Sequence, residues 1–148
     1  MAKTDEEGMG GCVKKTPAAP SRDDLEAALE HFNGCDYTSR QYKVSDFKLK
    51  YLGDLSVMQL GKYDDFSSWL DFEPGEYTDL DNQMVELRGF RGDEWAKRAA
   101  GWLVTGIPPI VVVSTPEADV IGDGRGRVNF AALFDKTVPT FIMTLKKS

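Results

Sequence analysis

Histidine is nearly missing from this chain of 148 residues: His31 is the only one. That excludes a multi-histidine metal site and any mechanism built on a pair of histidines. Cysteine is as scarce. Cys12 and Cys35 lack metal-ligand spacing, and each reads as a reduced cytoplasmic thiol. Basic charge is outnumbered, with 18 Lys and Arg against 24 Asp and Glu, for a net charge of −6. This balance argues against a module that grips bare DNA by charge alone, while leaving room for a local basic pocket. No apolar run approaches membrane-spanning length. The first residues, Met1-Ala2-Lys3-Thr4-Asp5-Glu6-Glu7, carry no apolar segment of a secretory leader, so a cytoplasmic protein is expected.

What is present suffices for one domain. Apolar residues make up 41% of the chain, enough for a single core. Residues 1–20 have no apolar period and read as a disordered tail; residues 21–148 read as one α+β domain. Ser21-Arg22-Asp23-Asp24 opens a helix with a capping box in which Asp replaces the usual Glu or Gln. Leu25, Ala28, Leu29 and Phe32 form its apolar stripe, and Asn33-Gly34 ends it. His31 on this helix is structural or solvated. Phe47-Leu49-Tyr51 alternates as a strand with one wet face. Gly53-Asp54 reads as a turn, and Leu55, Val57 and Leu60 as a second short strand. Asp64 or Asp65 caps a short helix through Phe66, Trp69 and Leu70. The acid-rich stretch 72–82 reads as a solvated surface loop. Met84–Arg88 reads as a strand, and Asp93–Thr105 as a helix capped by Asp93, closed by Gly106 and stopped by Pro108. Trp95, Ala99, Trp102 and Leu103 share one face of that helix, a spacing more typical of core than of a base-stacking platform.

The stretch Gly106–Ala132 organises the rest. Ile110–Val113 is a β-branched run suited to a strand buried on both faces. Glu117-Ala118-Asp119 is a turn, Val120-Ile121 resumes a strand, and Gly122-Asp123-Gly124 turns sharply into a helix opening at Arg125 or Gly126. A final strand runs from Val138 to Leu145. A strand, a glycine turn and a helix start favour an anion, because the first helical amides lack internal partners and the helix dipole adds positive charge. Gly122 and Gly124 allow close backbone approach to a ligand. Arg125 and Arg127 add forked donors suited to phosphate, each charge-assisted bond contributing about 1.5–3 kcal/mol when shielded from water.

Pro109-Ile110-Val111-Val112, an apolar strand, the Gly-x-x-Arg pattern of Gly124-Arg125-Gly126-Arg127 at a helix start, and the closing Val138-Pro139-Thr140-Phe141-Ile142 together resemble the ParB/sulfiredoxin-like superfamily. The resemblance covers roughly Met84 to Leu145 and implies a small mixed sheet with flanking helices. Sulfiredoxins carry a reactive cysteine inside this motif; here the position is Arg125, so redox repair chemistry is not implied. The helix-turn-helix module of ParB partition proteins has no counterpart before Ser148. The common element is a nucleotide phosphate cradle, as in ParB-like CTP hydrolases and free-serine kinases of this fold. The resemblance therefore implies a nucleoside triphosphate with Mg²⁺, and hydrolysis or phosphoryl transfer if the protein is an enzyme. Gly122, Gly124, Arg125, Gly126, Arg127 and Asn129 are the candidate nucleotide contacts, joined by Arg88, with Arg91 as its competitor. Asp123 is the candidate metal ligand and, with Glu86 as base, the candidate catalytic acid pair. Each has a plainer reading: Asp123 as a turn residue, Asn129 as a solvated one, Arg88 and Arg91 as exposed arginines. Two further functions stand beside nucleotide binding: a ParB-like nuclease acting on DNA, and a non-catalytic adaptor or inhibitor of a host protein. A small solitary domain of this kind suits a phage genome, which would place it in the host cytoplasm. The oligomeric state is not legible.

Overall fold

The structure, a computed structural model, describes residues 17–34 and 41–146. Cys12, Cys35, most of the expected tail and Lys147-Ser148 lie outside the described residues. Helix α1 spans Arg22–Asn33. Its capping box forms as the sequence implies: the Asp24 amide donates to the Ser21 hydroxyl at 3.1 Å, and the Ser21 amide donates back to Asp24 at 3.2 Å. Strand β1 runs through Phe47–Leu55. Helix α2 follows at Val57–Leu60, α3 at Leu80–Arg91, α4 at Asp93–Ala100 and α5 at Trp102–Thr105. Then come β2 (Ile110–Ser114), β3 (Asp119–Asp123), α6 (Arg125–Phe134) and β4 (Val138–Leu145). The fold class is α+β.

The four strands form one mixed sheet in the order β1-β4-β2-β3. β1 pairs antiparallel with β4, β4 runs parallel to β2, and β2 pairs antiparallel with β3. The parallel pair is possible because α6 carries the chain back across one face. The β-branched run of β2 is buried on both sides. Ile110 and Val112 pack with Ile121, Ile142 and the helices α2 to α6, whereas Val111 and Val113 pack with Val120, Met143 and the α1 residues Ala28, Leu29 and Phe32. A strand side chain alternates faces, so four consecutive apolar residues supply two cores at once.

Five expectations are corrected. Leu55–Leu60 is not a second strand: β1 extends through Leu55 over a bulge near Gly53, and Val57–Leu60 is helical. A capping box decides it, with the Gln59 amide donating to the Ser56 hydroxyl at 3.2 Å and the Ser56 amide to the Gln59 side chain at 2.8 Å. The loop expected over 72–82 stops earlier, because Asp79 caps α3 by accepting from the Asn82 amide. Met84–Arg88 is therefore the middle of a helix, not a strand. Leu80, Met84, Leu87 and Arg91 follow its 3.6-residue period, and Leu87 reaches the core. Asp93 is not a cap. Gly92, with φ of 91°, both ends α3 and precedes α4, so Asp93 falls in the first turn of α4. That helix breaks at Gly101, and Leu103 beyond the break is 37% exposed instead of sharing the face of Trp95 and Ala99.

Candidate anion cleft at the start of helix α6

The β3–α6 corner is shaped by three close approaches. Gly122 is the bulged residue opposite β2, and a Cβ there would stand 2.6 Å from the Ala28 carbonyl oxygen. Its bareness lets α1 lie directly on the sheet. Gly124 takes φ of 111°, and its missing Cβ would strike the Ile110 side chain. At Gly126 a Cβ would meet the Arg91 guanidinium at 2.6 Å and the Trp95 ring at 3.1 Å. The nearest neighbours of all three are thus protein atoms, a packing role that the sequence reading did not foresee.

Gly124 at the N-cap has no side chain, and no other side chain among the described residues caps α6. The amides of Arg125, Gly126 and Arg127 point out of its first turn, where the helix dipole adds positive charge. They open into a cleft of about 360 Å³ lined by Arg91, Trp95, Trp102 and residues 122–127. Arg91 reaches it from the last turn of α3, its guanidinium carbon 5.0 Å from the Phe90 ring centre and 5.3 Å from that of Trp95. Arg125 lies 5.0 Å over Trp69. Arg127 donates Nη1 to the Pro109 carbonyl and stands 3.8 Å from Asp123, both side chains 30% exposed. Asp123 is the sole acid lining this cleft among the described residues. Burial raises its pKa, Arg127 opposes that rise, and Asp24 adds to it.

Behind the cleft lies a charged layer that the sequence reading missed. Asp64, 7% exposed, accepts the Ile121 amide at 2.7 Å. Burial pushes its pKa up, while the Ile121 hydrogen bond, Arg125 and Trp69 pull it down. The Trp69 indole N–H is close enough to exert that pull, yet neither it nor Arg125 Nε meets an acceptor in hydrogen-bond geometry among the described residues. His31, half-buried on α1, has its pKa lowered by burial and by Arg125, with Asp64 acting the other way. The short helix at Phe66–Ser68 is capped by Asp65, which frees Asp64 for this inward role.

The remaining candidates separate. Arg88 is exposed on α3 and does not line the cleft; the competitor Arg91 does, one turn further on. Glu86 sits on the same helix facing the Tyr77 hydroxyl, not beside the cleft as a strand residue would have been. Asn129 is neither solvated nor open to a phosphate. It is buried, its Oδ1 accepts the Asp71 amide at 2.7 Å, and its Nδ2 donates to the carbonyls of Arg125 at 3.2 Å and Trp69 at 3.3 Å. Among the described residues, no group of three or more His, Cys, Asp or Glu is placed to hold a metal ion. No helix among them is long and apolar enough to cross a membrane.

Gly126 offers a test of this geometry. Gly126→Ala is expected to fold with a stability within about 1 kcal/mol of wild type, since the preference of a helix for alanine, about 0.5–1 kcal/mol, is offset by crowding of the Trp95 ring while the Arg91 tip is flexible. Arg91 must then leave the helix start, so anion affinity should fall at least fivefold by calorimetry. Unchanged affinity would show that Arg91 does not work from this position. No family model, no curated protein and no solved structure matches the chain.

Proposed function

We propose that this cleft binds the phosphates of a nucleoside triphosphate, in a fold of the ParB/sulfiredoxin-like kind. One observation carries the reading: the Arg91 guanidinium, stacked on Phe90 and Trp95, lies against Gly126 at an uncapped helix start and forms no ion pair among the described residues. Arginine stacked on aromatic faces keeps its donor edge free for a planar fork to phosphate oxygens. Arg125 is similarly stacked on Trp69. Three arginines gathered at one helix start, in a chain of net charge −6, make a local basic pocket. The half-buried rings of Trp95 and Trp102 supply an apolar wall for the base beside it.

The proposal is binding first. Glu86 stands outside the cleft, so no general base is assigned to it, and any Mg²⁺ arrives on the nucleotide's own phosphates. A DNA-cleaving reading needs a cluster of acids at the cleft, and among the described residues Asp123 alone lines it. The test is calorimetric titration of ATP, GTP, CTP and UTP, with and without Mg²⁺, into wild type and Arg91→Ala. Arg91 is exposed, so its truncation should leave the fold intact. Loss of one or two charge-assisted bonds should raise Kd about tenfold to more than a hundredfold. Equal affinities, or no binding of any of the four to wild type, would sink the proposal and leave a non-catalytic adaptor as the reading to pursue.

A further inference from the structure

Asp123 and Arg127 stand one helical turn apart, on the boundary between two spaces. One is the arginine-lined cleft; the other is a cavity of about 110 Å³ against Pro20, Asp24, Pro108 and Pro109. Their 3.8 Å separation is an ion pair without a hydrogen bond, and both partners are open enough to move. The Nη1 that donates to the Pro109 carbonyl is also the Arg127 atom nearest Asp123, and Arg127 lines the cleft. Arg91 and Arg125 form no ion pair among the described residues. The three arginines are therefore not equivalent: among the described residues Arg127 alone stands within ion-pair distance of a carboxylate, whereas Arg125 feels Asp64 at longer range and Arg91 lies against aromatic rings.

We infer that Asp123 is an internal competitor for the cleft, its carboxylate standing where a ligand oxyanion would meet Arg127. This rests on the phosphate-binding reading. An anion that needs only Arg91, Arg125 and the helix amides gains nothing from Arg127 and meets repulsion from Asp123. A polyphosphate chain carries enough charge to draw Arg127 away from Asp123 and engage both sides of the turn. Asp123 thus sets a preference for di- and triphosphates over a single phosphate group.

The same contacts speak against Asp123 as a magnesium ligand. Its nearest charged neighbour is a guanidinium, which repels a dication. Asp24, the other carboxylate that influences it, accepts the Ser21 amide in the α1 capping box. As a competitor, Asp123 acts as the carboxylate paired with Arg127, in its present position.

The experiment is calorimetric titration of inorganic pyrophosphate and inorganic phosphate, in EDTA and again with Mg²⁺, into wild type, Asp123→Asn, Arg127→Ala and the double variant. Melting curves confirm folding, and Asp123→Ser replaces the asparagine variant if that one fails to fold. Asp123→Asn should bind pyrophosphate about tenfold more tightly than wild type, because a like charge has gone and Arg127 is released. The gain should shrink when Arg127 is absent, since the two effects share one contact. The wild-type preference for pyrophosphate over phosphate should narrow. Equal or weaker binding by the folded variant, or a gain that persists undiminished without Arg127, would overturn the competitor role; weakening confined to Mg²⁺ would mark a metal ligand instead. Absence of binding to all four proteins would overturn the phosphate reading beneath it.

Discussion

Replacing Gly124 by alanine is expected to lower the free energy of unfolding by about 2–5 kcal/mol. Two costs add. The residue sits at φ of 111°, a left-handed conformation that costs an L residue about 1–2 kcal/mol. Its new Cβ would also be driven into the side chain of Ile110, a fully buried residue at the start of β2. Overpacking a core of this kind costs about 1–3 kcal/mol. Gly53 separates the two terms: its φ is 107°, but no atom of the described residues lies within 4 Å of where its Cβ would be. Gly53→Ala should therefore show only the backbone cost. Urea denaturation measures both variants, as a shift of midpoint at constant slope. Equal losses at the two glycines would mean that Ile110 yields freely and that the corner is not tightly packed.

Asn129→Ala should cost about 1.5–4.5 kcal/mol, from three hydrogen bonds each contributing about 0.5–1.5 kcal/mol net. The asparagine is 1% exposed, so its former partners are poorly placed to find water. The damage should be local as well as global. Two of the three bonds anchor the backbone at Trp69 and Asp71, and the Trp69 ring is the platform beneath Arg125. Amide exchange in residues 66–72 should accelerate more than in the β2–β4 pairing, and nucleotide affinity should fall with it. A variant that loses less than about 0.5 kcal/mol, with exchange at Asp71 unchanged, would show that the loop is held by other contacts.

The elements that were legible are those whose cause lies within a few residues. The Ser21–Asp24 capping box, the β-branched run at Ile110–Val113 and the opening of α6 after Gly124 are local statements of backbone preference, and each stands where the sequence put it. Two misreadings were also local. Ser56 with Gln59, and Asp79 ahead of Leu80, Met84 and Leu87, are helix signals overlooked in favour of short apolar runs that suit strand and helix alike. The glycine–arginine turn reads as a candidate anion site from its residues alone, and a helix does start there after Gly124.

What surrounds that turn was decided only in three dimensions. Arg91 reaches Gly126 because α3 ends beside α6, which no spacing in the chain encodes. Asp64 takes the Ile121 amide across 57 positions, and Asn129 takes the Asp71 amide across 58. Side-chain identity at such positions records only that a polar group is needed. Which backbone amide would otherwise be left buried and unpaired depends on how the helices settle on the sheet. By itself the sequence determined a mixed sheet ending in a positively charged corner. Packing decided which arginines face it: Arg91 lies where two aromatic rings and the missing Cβ of Gly126 leave room, Arg125 lies over Trp69, and Arg127 is held by the Pro109 carbonyl.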